Sequence, residues 1–311
     1  MSNRVAVIDF GTNTARLLIA DRVEKGNFLH VHLRREIVRM GGGFSKAEGL
    51  SPEAMERGLS CLTRFSEHIR EYDVASVRAV ATSAVRDARN GTKFVEDVRR
   101  ETGIELAVID GVTEGNLTLA GVMAGLDRRH DEILVVDIGG GSTEYTLARS
   151  GRADFVRSLP LGVVRLTEGQ GSLASMENKI QRELEALQHA MTESRCRIRN
   201  GTSLVGTAGT ATTLAAISME MEDYDYRKVN NTVISREKIA AIFERLLPLT
   251  QQERLEVPGL EKGREDLIIS GMLITLRTMD LFGMGEMKVS DYGLLEGLLV
   301  SLDGGVGHYG E

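Results

Sequence analysis

Only two cysteines and four prolines occur among the 311 residues. Cys61 and Cys196 lie far apart in helix-like segments, which excludes a disulfide framework; both read as packing thiols in a reducing compartment. With so little proline, 42% hydrophobic and 27% charged residues, long disordered stretches are not expected. No apolar run approaches the ~20 residues that span a bilayer. The opening MSNRVAVIDFG reads as a strand entering a turn and not as a signal peptide, so a cytoplasmic location with no membrane partner is expected. The six histidines lack metal-ligand spacing, and no zinc site is predicted. Neither a GxxxxGKS/T loop nor a GxSxG elbow is present. A net charge of −7 argues against a surface that attracts nucleic acid; a polyanionic substrate would need local arginines or a metal.

What is present begins with a repeat. The apolar run VAVIDF ends in an acid and a glycine turn, then resumes as ARLLIA, which predicts a hairpin. The same grammar returns in ILVVDIGGGSTEYTLA, with Asp137 in the place of Asp9, Gly139 of Gly11 and Ser142 of Thr14 at a constant offset. Third strands are predicted over 28–39 and 153–158, followed by long helices near 51–72 and 172–199. In the first half, strands at 76–81 and 106–109 surround a helix near 91–102, and a helix near 113–124 closes it. In the second, a strand enters a glycine turn over 203–210, helices follow near 235–247 and 261–282, and 287–293 is a last strand before a terminal helix. Each half reads βββαβαβα, an α/β chain with two domains, 1–124 and 125–311.

DIGGGSTE, residues 137–144, carries the most chemistry. Gly139, Gly140 and Gly141 let backbone N–H groups converge on an anion, and Ser142 and Thr143 add hydroxyls. A dinucleotide fingerprint would open a helix, whereas STEYTLA continues as strand. Asp137 and Glu144 beside a phosphate would repel it unless a hard divalent cation, Mg²⁺ by preference, lay between them. DFGTNT is the weaker twin: Gly11, Thr12, Asn13 and Thr14 can bind phosphate oxygens or close Asx-type turns, Arg16 could reach the phosphates as a fork, and Asp9 joins the metal-ligand candidates. Ser83 and Arg86 follow a strand, either as phosphate ligands or as a helix cap and a solvated arginine. Gly206, Thr207, Gly209 and Thr210 form a further turn before a helix, suited to phosphate, to a nucleotide or merely to close packing. By itself Glu114 is only an acid in a first helical turn, where the helix dipole favours it.

Taken together, AVIDFGTNTARLLIA, ATSAVRDARN, VIDGVTEGNLTLAGV, VVDIGGGSTEY, SLPLGVVRLTE, LVGTAGTATTLAA and VSDYGLLEGLL resemble the exopolyphosphatase and guanosine pentaphosphate phosphohydrolase (Ppx/GppA) family of the actin, Hsp70 and sugar kinase superfamily, over essentially the whole chain. The resemblance implies a duplicated ribonuclease-H-like, actin-like fold with an interdomain cleft. It implies hydrolysis of the terminal phosphoanhydride of inorganic polyphosphate or of guanosine pentaphosphate, a link to the stringent response. It makes Glu114 the catalytic glutamate that orients or deprotonates the attacking water, and Asp137 and Glu144 the metal-associated carboxylates. Many members carry a pair of acids where this chain has Thr113 before Glu114. The chain matches a short form without extra C-terminal helical domains, for which a homodimer is admissible. The competing readings are an ATP- or ADP-dependent phosphotransferase of the same superfamily and a non-enzymatic module that binds nucleotide or alarmone.

Overall fold

The structure is a computed structural model, which describes residues 3–24, 27–128 and 130–302. The chain divides into two compact units, one formed by its first part up to Gly121 together with the segment from Leu294, the other by Val122–Gly293.

The first unit opens with a meander, β1 (Arg4–Phe10), β2 (Thr14–Glu24) and β3 (Asn27–Ile37). Then follow α1 (Pro52–Glu71), β4 (Ser76–Ala81), α2 (Ser83–Arg86), α3 (Gly91–Thr102), β5 (Leu106–Val108) and α4 (Gly111–Gly125), whose last residues, from Val122, are counted with the second unit. The sheet order is β3-β2-β1-β4-β5, with β1, β4 and β5 parallel. α1 starts where Ser51 accepts the N–H of Ala54 and Pro52 presets the first turn. Its Ala54, Gly58, Cys61, Leu62 and Phe65 recur at helical spacing and bury one face with Ile8, Phe10, Leu17 and Ile19 of the sheet.

The second unit repeats the plan with β6 (Glu132–Ile138), β7 (Thr143–Arg149), β8 (Arg152–Leu159), α5 (Val163–Gly169), α6 (Leu173–Glu193), β9 (Ser203–Thr207) and α7 (Ala208–Ser218). It continues through α8 (Tyr226–Val229), β10 (Val233–Ser235), α9 (Arg236–Leu246), α10 (Gln251–Arg254), α11 (Ile268–Phe282) and β11 (Glu286–Val289). Its sheet order is β10-β11-β9-β6-β7-β8, with β6, β9 and β11 parallel. Leu134, Val136, Tyr145 and Leu147 form one core with α6, α7, α9 and α11. Both units are therefore mixed α/β sheets built from one repeated meander, as the sequence predicts.

The last helix, α12 (Leu294–Ser301), departs from the predicted 125–311 domain. Its Leu294, Leu295, Leu298 and Leu299 pack with Val5, Val7, Leu18 and Ala20, apolar residues of β1 and β2. These four leucines therefore bury against the first unit's sheet. The outer ends of the predicted domains, residues 1, 2 and 303–311, lie outside the described residues. Among the described residues no helix is long and apolar enough to cross a membrane.

Candidate active site

In the first unit the hairpin closes where the Gly11 N–H donates to the Thr14 carbonyl at 3.0 Å. Asp9 and Arg16 face each other across the strands, and both Arg16 Nε and Nη2 donate to Asp9 Oδ2, at 3.1 and 2.8 Å. The fork predicted to reach phosphate is turned onto Asp9. An arginine-paired carboxylate is in turn a poor place for a second cation, which argues against Asp9 as a metal ligand. The carbonyls of Thr12 and Asn13 accept N–H groups from Val38, Arg39 and Gly41. Asn13 is buried and its Oδ1 lacks a hydrogen-bond partner among the described residues.

β4 ends beside β1, with Ala81 paired to Phe10, and releases the chain into α2. There Ser83 does not turn outward. Its Oγ lies 2.9 Å from Thr12 Oγ1, and the latter also accepts the Ala84 N–H at 3.2 Å. At the end of α2, Arg86 Nη1 donates to Glu114 Oε2 and to the Ile109 carbonyl, both at 3.0 Å. Glu114 is buried at 7% exposure in the first turn of α4. The same turn is capped by Asp110, whose Oδ1 accepts the Thr113 N–H at 2.7 Å. That bond, with the nearby Arg86 charge, holds the Asp110 carboxyl below its usual range.

In the second unit Gly139 N–H donates to the Ser142 carbonyl at 3.0 Å, the counterpart of the first turn. The carbonyls of Gly139 and Gly140 accept the Val163, Val164 and Arg165 N–H groups, and Arg165 Nε donates to the Gly141 carbonyl at 2.8 Å. The start of α5 thus occupies the loop's acceptors, the groups that would repel an anion. The approach is close enough to require glycine at 162, because a Cβ there would lie 2.4 Å from the Gly140 carbonyl. Thr143, fully buried, donates its hydroxyl to the Leu161 carbonyl, so that hydroxyl is taken within the protein and does not face a phosphate. Ser142 is buried at the same turn.

Asp137 and Glu144 are direct cross-strand partners, 8% and 1% exposed, and Ser158 Oγ donates to Glu144 Oε1 at 2.7 Å. Cβ atoms of such partners lie about 5 Å apart. Two buried carboxylates at that spacing call for a cation or a shared proton. Among the described residues no group of three or more His, Cys, Asp and Glu side chains is arranged to hold a metal. A two-carboxylate donor set suits Mg²⁺, which keeps several waters and takes phosphate oxygens.

Asp137 also pairs with Thr207 of β9, which brings the 206–210 turn beside it. The Thr207 hydroxyl donates to the Tyr292 carbonyl at 2.9 Å, again a structural bond. Ala208 holds a left-handed φ of 60° at the start of α7. The turn sets consecutive N–H groups at a helix N-terminus, where anions are favoured. The Arg264 guanidinium rests on Gly209, since a Cβ at 209 would lie 1.6 Å from its Nη1. Glu261 Oε2 accepts from Arg264 Nε at 3.1 Å. A guanidinium against the positive end of a helix becomes favourable when an anion joins them. Sequence reasoning missed Arg264 because it belongs to no glycine or hydroxyl motif and arrives from a loop before α11.

The family model for the Ppx/GppA phosphatase family matches residues 18–304. Exopolyphosphatase 2 of Mycobacterium tuberculosis is 32% identical over an alignment covering 97% of this chain and 99% of that protein. The bifunctional 3-dehydroquinate synthase/phosphatase of Fusobacterium nucleatum is 34% identical across 95% of this chain, which spans only 46% of that longer protein. Among solved structures, an exopolyphosphatase from Cytophaga hutchinsonii superposes with a TM-score of 0.89 at 28% identity, covering 97% of this chain and 98% of that one. The duplicated meander, the paired glycine turns and these matches along nearly the full length agree: the chain belongs to the Ppx/GppA phosphatase family.

Proposed function

We propose that the protein is an exopolyphosphatase that releases terminal orthophosphate from inorganic polyphosphate by attack of water, with guanosine pentaphosphate as a further substrate, cleaved to the tetraphosphate. The relatives named for exopolyphosphatase activity support the reaction class. The observation that carries the reading is the buried Glu114 carboxylate, held at 3.0 Å by Arg86 in the first turn of α4. Glu114 accepts the proton of the attacking water, a bond forms from that oxygen to the terminal phosphorus, and the bridging P–O bond breaks toward the shortened chain.

Backbone N–H groups of Gly140 to Ser142 and of the 208–210 turn, with Arg264, are the anion-binding donors of the second unit and would neutralise charge on phosphate oxygens. Asp137 and Glu144 would hold a divalent cation, Mg²⁺ by its preference for few carboxylates, which supplies further charge neutralisation when bound. The two cysteines are free thiols, in keeping with a cytoplasmic enzyme.

The test is orthophosphate release from polyphosphate by purified protein with Mg²⁺. Glu114→Gln is expected to lower kcat by about a thousandfold, within the range for loss of a general base, and to leave polyphosphate affinity within about threefold. Full activity in that variant would sink the assigned mechanism. No release by the unmodified protein, together with tight binding of guanosine pentaphosphate, would favour the alarmone-binding module instead.

A further inference from the structure

We infer that Thr12 is a positioning residue for Glu114, acting through α2 and Arg86, and is not a phosphate ligand; this rests on the reading of Glu114 as the general base. α2 is a helix of a single turn, too short to hold itself. Its own N-cap, Thr82, makes no side-chain cap bond. The cap comes instead from the distant hairpin loop, where Thr12 Oγ1 accepts the Ala84 N–H at 3.2 Å and meets Ser83 Oγ at 2.9 Å. Thr12 is 5% and Ser83 2% exposed, so no solvent competes for either hydroxyl.

The other end of this turn carries Arg86, whose Nη1 grips both Glu114 and the Ile109 carbonyl just ahead of α4. The Arg86 N–H itself donates to the Thr82 carbonyl at 3.0 Å, so the arginine's backbone moves with the capped turn. Thr12 is therefore joined to the Glu114 carboxylate by two hydrogen bonds, Thr12 to Ala84 and Arg86 to Glu114, with the short backbone of α2 between them. Removing the cap lets α2 shift, Arg86 with it, and the general base loses its aim. Misplacements of about 1 Å cost up to about a hundredfold in rate. A hydroxyl bonded in this way differs from one facing a substrate: its loss acts on kcat and leaves ground-state binding in place.

The experiment compares Thr12→Val, Thr12→Ser and Ser83→Ala with the unmodified protein, each checked for folding by thermal melting, with kcat and KM measured separately on polyphosphate. Thr12→Val keeps the shape and loses the acceptor; kcat is expected to fall at least tenfold with KM within twofold. Thr12→Ser restores the acceptor and is expected to recover kcat to within threefold. Ser83→Ala, which leaves the Ala84 bond in place, is expected to fall between the two. A Thr12→Val protein with kcat held and KM raised tenfold would make Thr12 a phosphate ligand and overturn the inference, as would wild-type kinetics in that variant. Absence of turnover in the unmodified protein would instead bring down the hydrolase reading beneath it.

Discussion

Asp9 and Asp137 hold the same place in two copies of one hairpin, and the residue across the strand sets what each can do. Opposite Asp9 stands Arg16, which satisfies the carboxylate within the protein. Opposite Asp137 stands Glu144, which sets a second carboxyl group beside it in a buried position. The sequence shows both residues at the repeat's constant offset, yet their partners follow only from strand register. The pair in the second copy should respond to metal as a stability effect independent of turnover. Saturating Mg²⁺, at about a hundredfold over its Kd, should stabilise the protein by about 2.7 kcal/mol, read as a rise in urea midpoint. Glu144→Gln should lack this rise and, in metal-free buffer, be at least as stable as the unmodified protein because like-charge repulsion is gone. An equal Mg²⁺ response in the variant would remove these carboxylates from the metal proposal. Other residue-level readings shift in the same way: Thr12, Ser83, Thr143 and Thr207 are hydroxyls in the predicted loops, but each is bonded within the protein. Sequence motifs name donor types; they do not tell which acceptor each donor meets.

At the level of elements, long strands and helices were legible because their apolar periodicity extends over several turns. α5, α8, α10 and β10 were not predicted, being too short to show a period, and α2 was only an alternative reading, with the cap placed at Ser83 where the structure has Thr82. α6 stops at Glu193, before the predicted 199, because Arg195 takes a left-handed φ of 53°. α11 begins at Ile268 and not near 261, after Gly263 turns the chain at φ 88°.

The layer between β3 and α1 has a pH sensitivity of its own. His32 of β3 lies against His68 and Tyr72, with ring centroids 5.0 and 4.9 Å apart. Burial above all, then the charges of His68 and Arg34, lowers the His32 pKa from its ordinary value, while Glu71 opposes them. A base depressed in the folded state leaves stability intact above the unfolded value of about 6.5. Below it the unfolded chain takes up the proton first, and stability falls until the folded pKa is passed. His30 and His130 are lowered as well, chiefly by burial. The expected result is a Tm that falls between pH 7.5 and pH 5, with a shallower fall in His32→Gln. Parallel curves for the two proteins would assign the effect to other groups.

For the whole molecule, the decisive feature is that the chain returns to its first unit at the end. Leu298 of α12 is fully buried among residues of β1 and β2. Leu298→Ala should cost about 2–5 kcal/mol, and hydrogen exchange should locate the loss in β1 and β2, with β6 and β7 of the separately cored second unit less affected. Uniform loss of protection in both units would show that they unfold as one.

By itself the sequence determined the duplication, the α/β class, most of the long elements and the residues from which a phosphate site can be made. Those properties depend on local periodicity, glycine spacing and repeat offset. Tertiary structure alone decided that Thr12 reaches Ser83 across 71 positions, that Arg86 grips Glu114, that Arg264 rests on Gly209 and that α12 completes the first unit. Each is a meeting of side chains distant in sequence, and such meetings are set by sheet register and core packing, which no local pattern encodes.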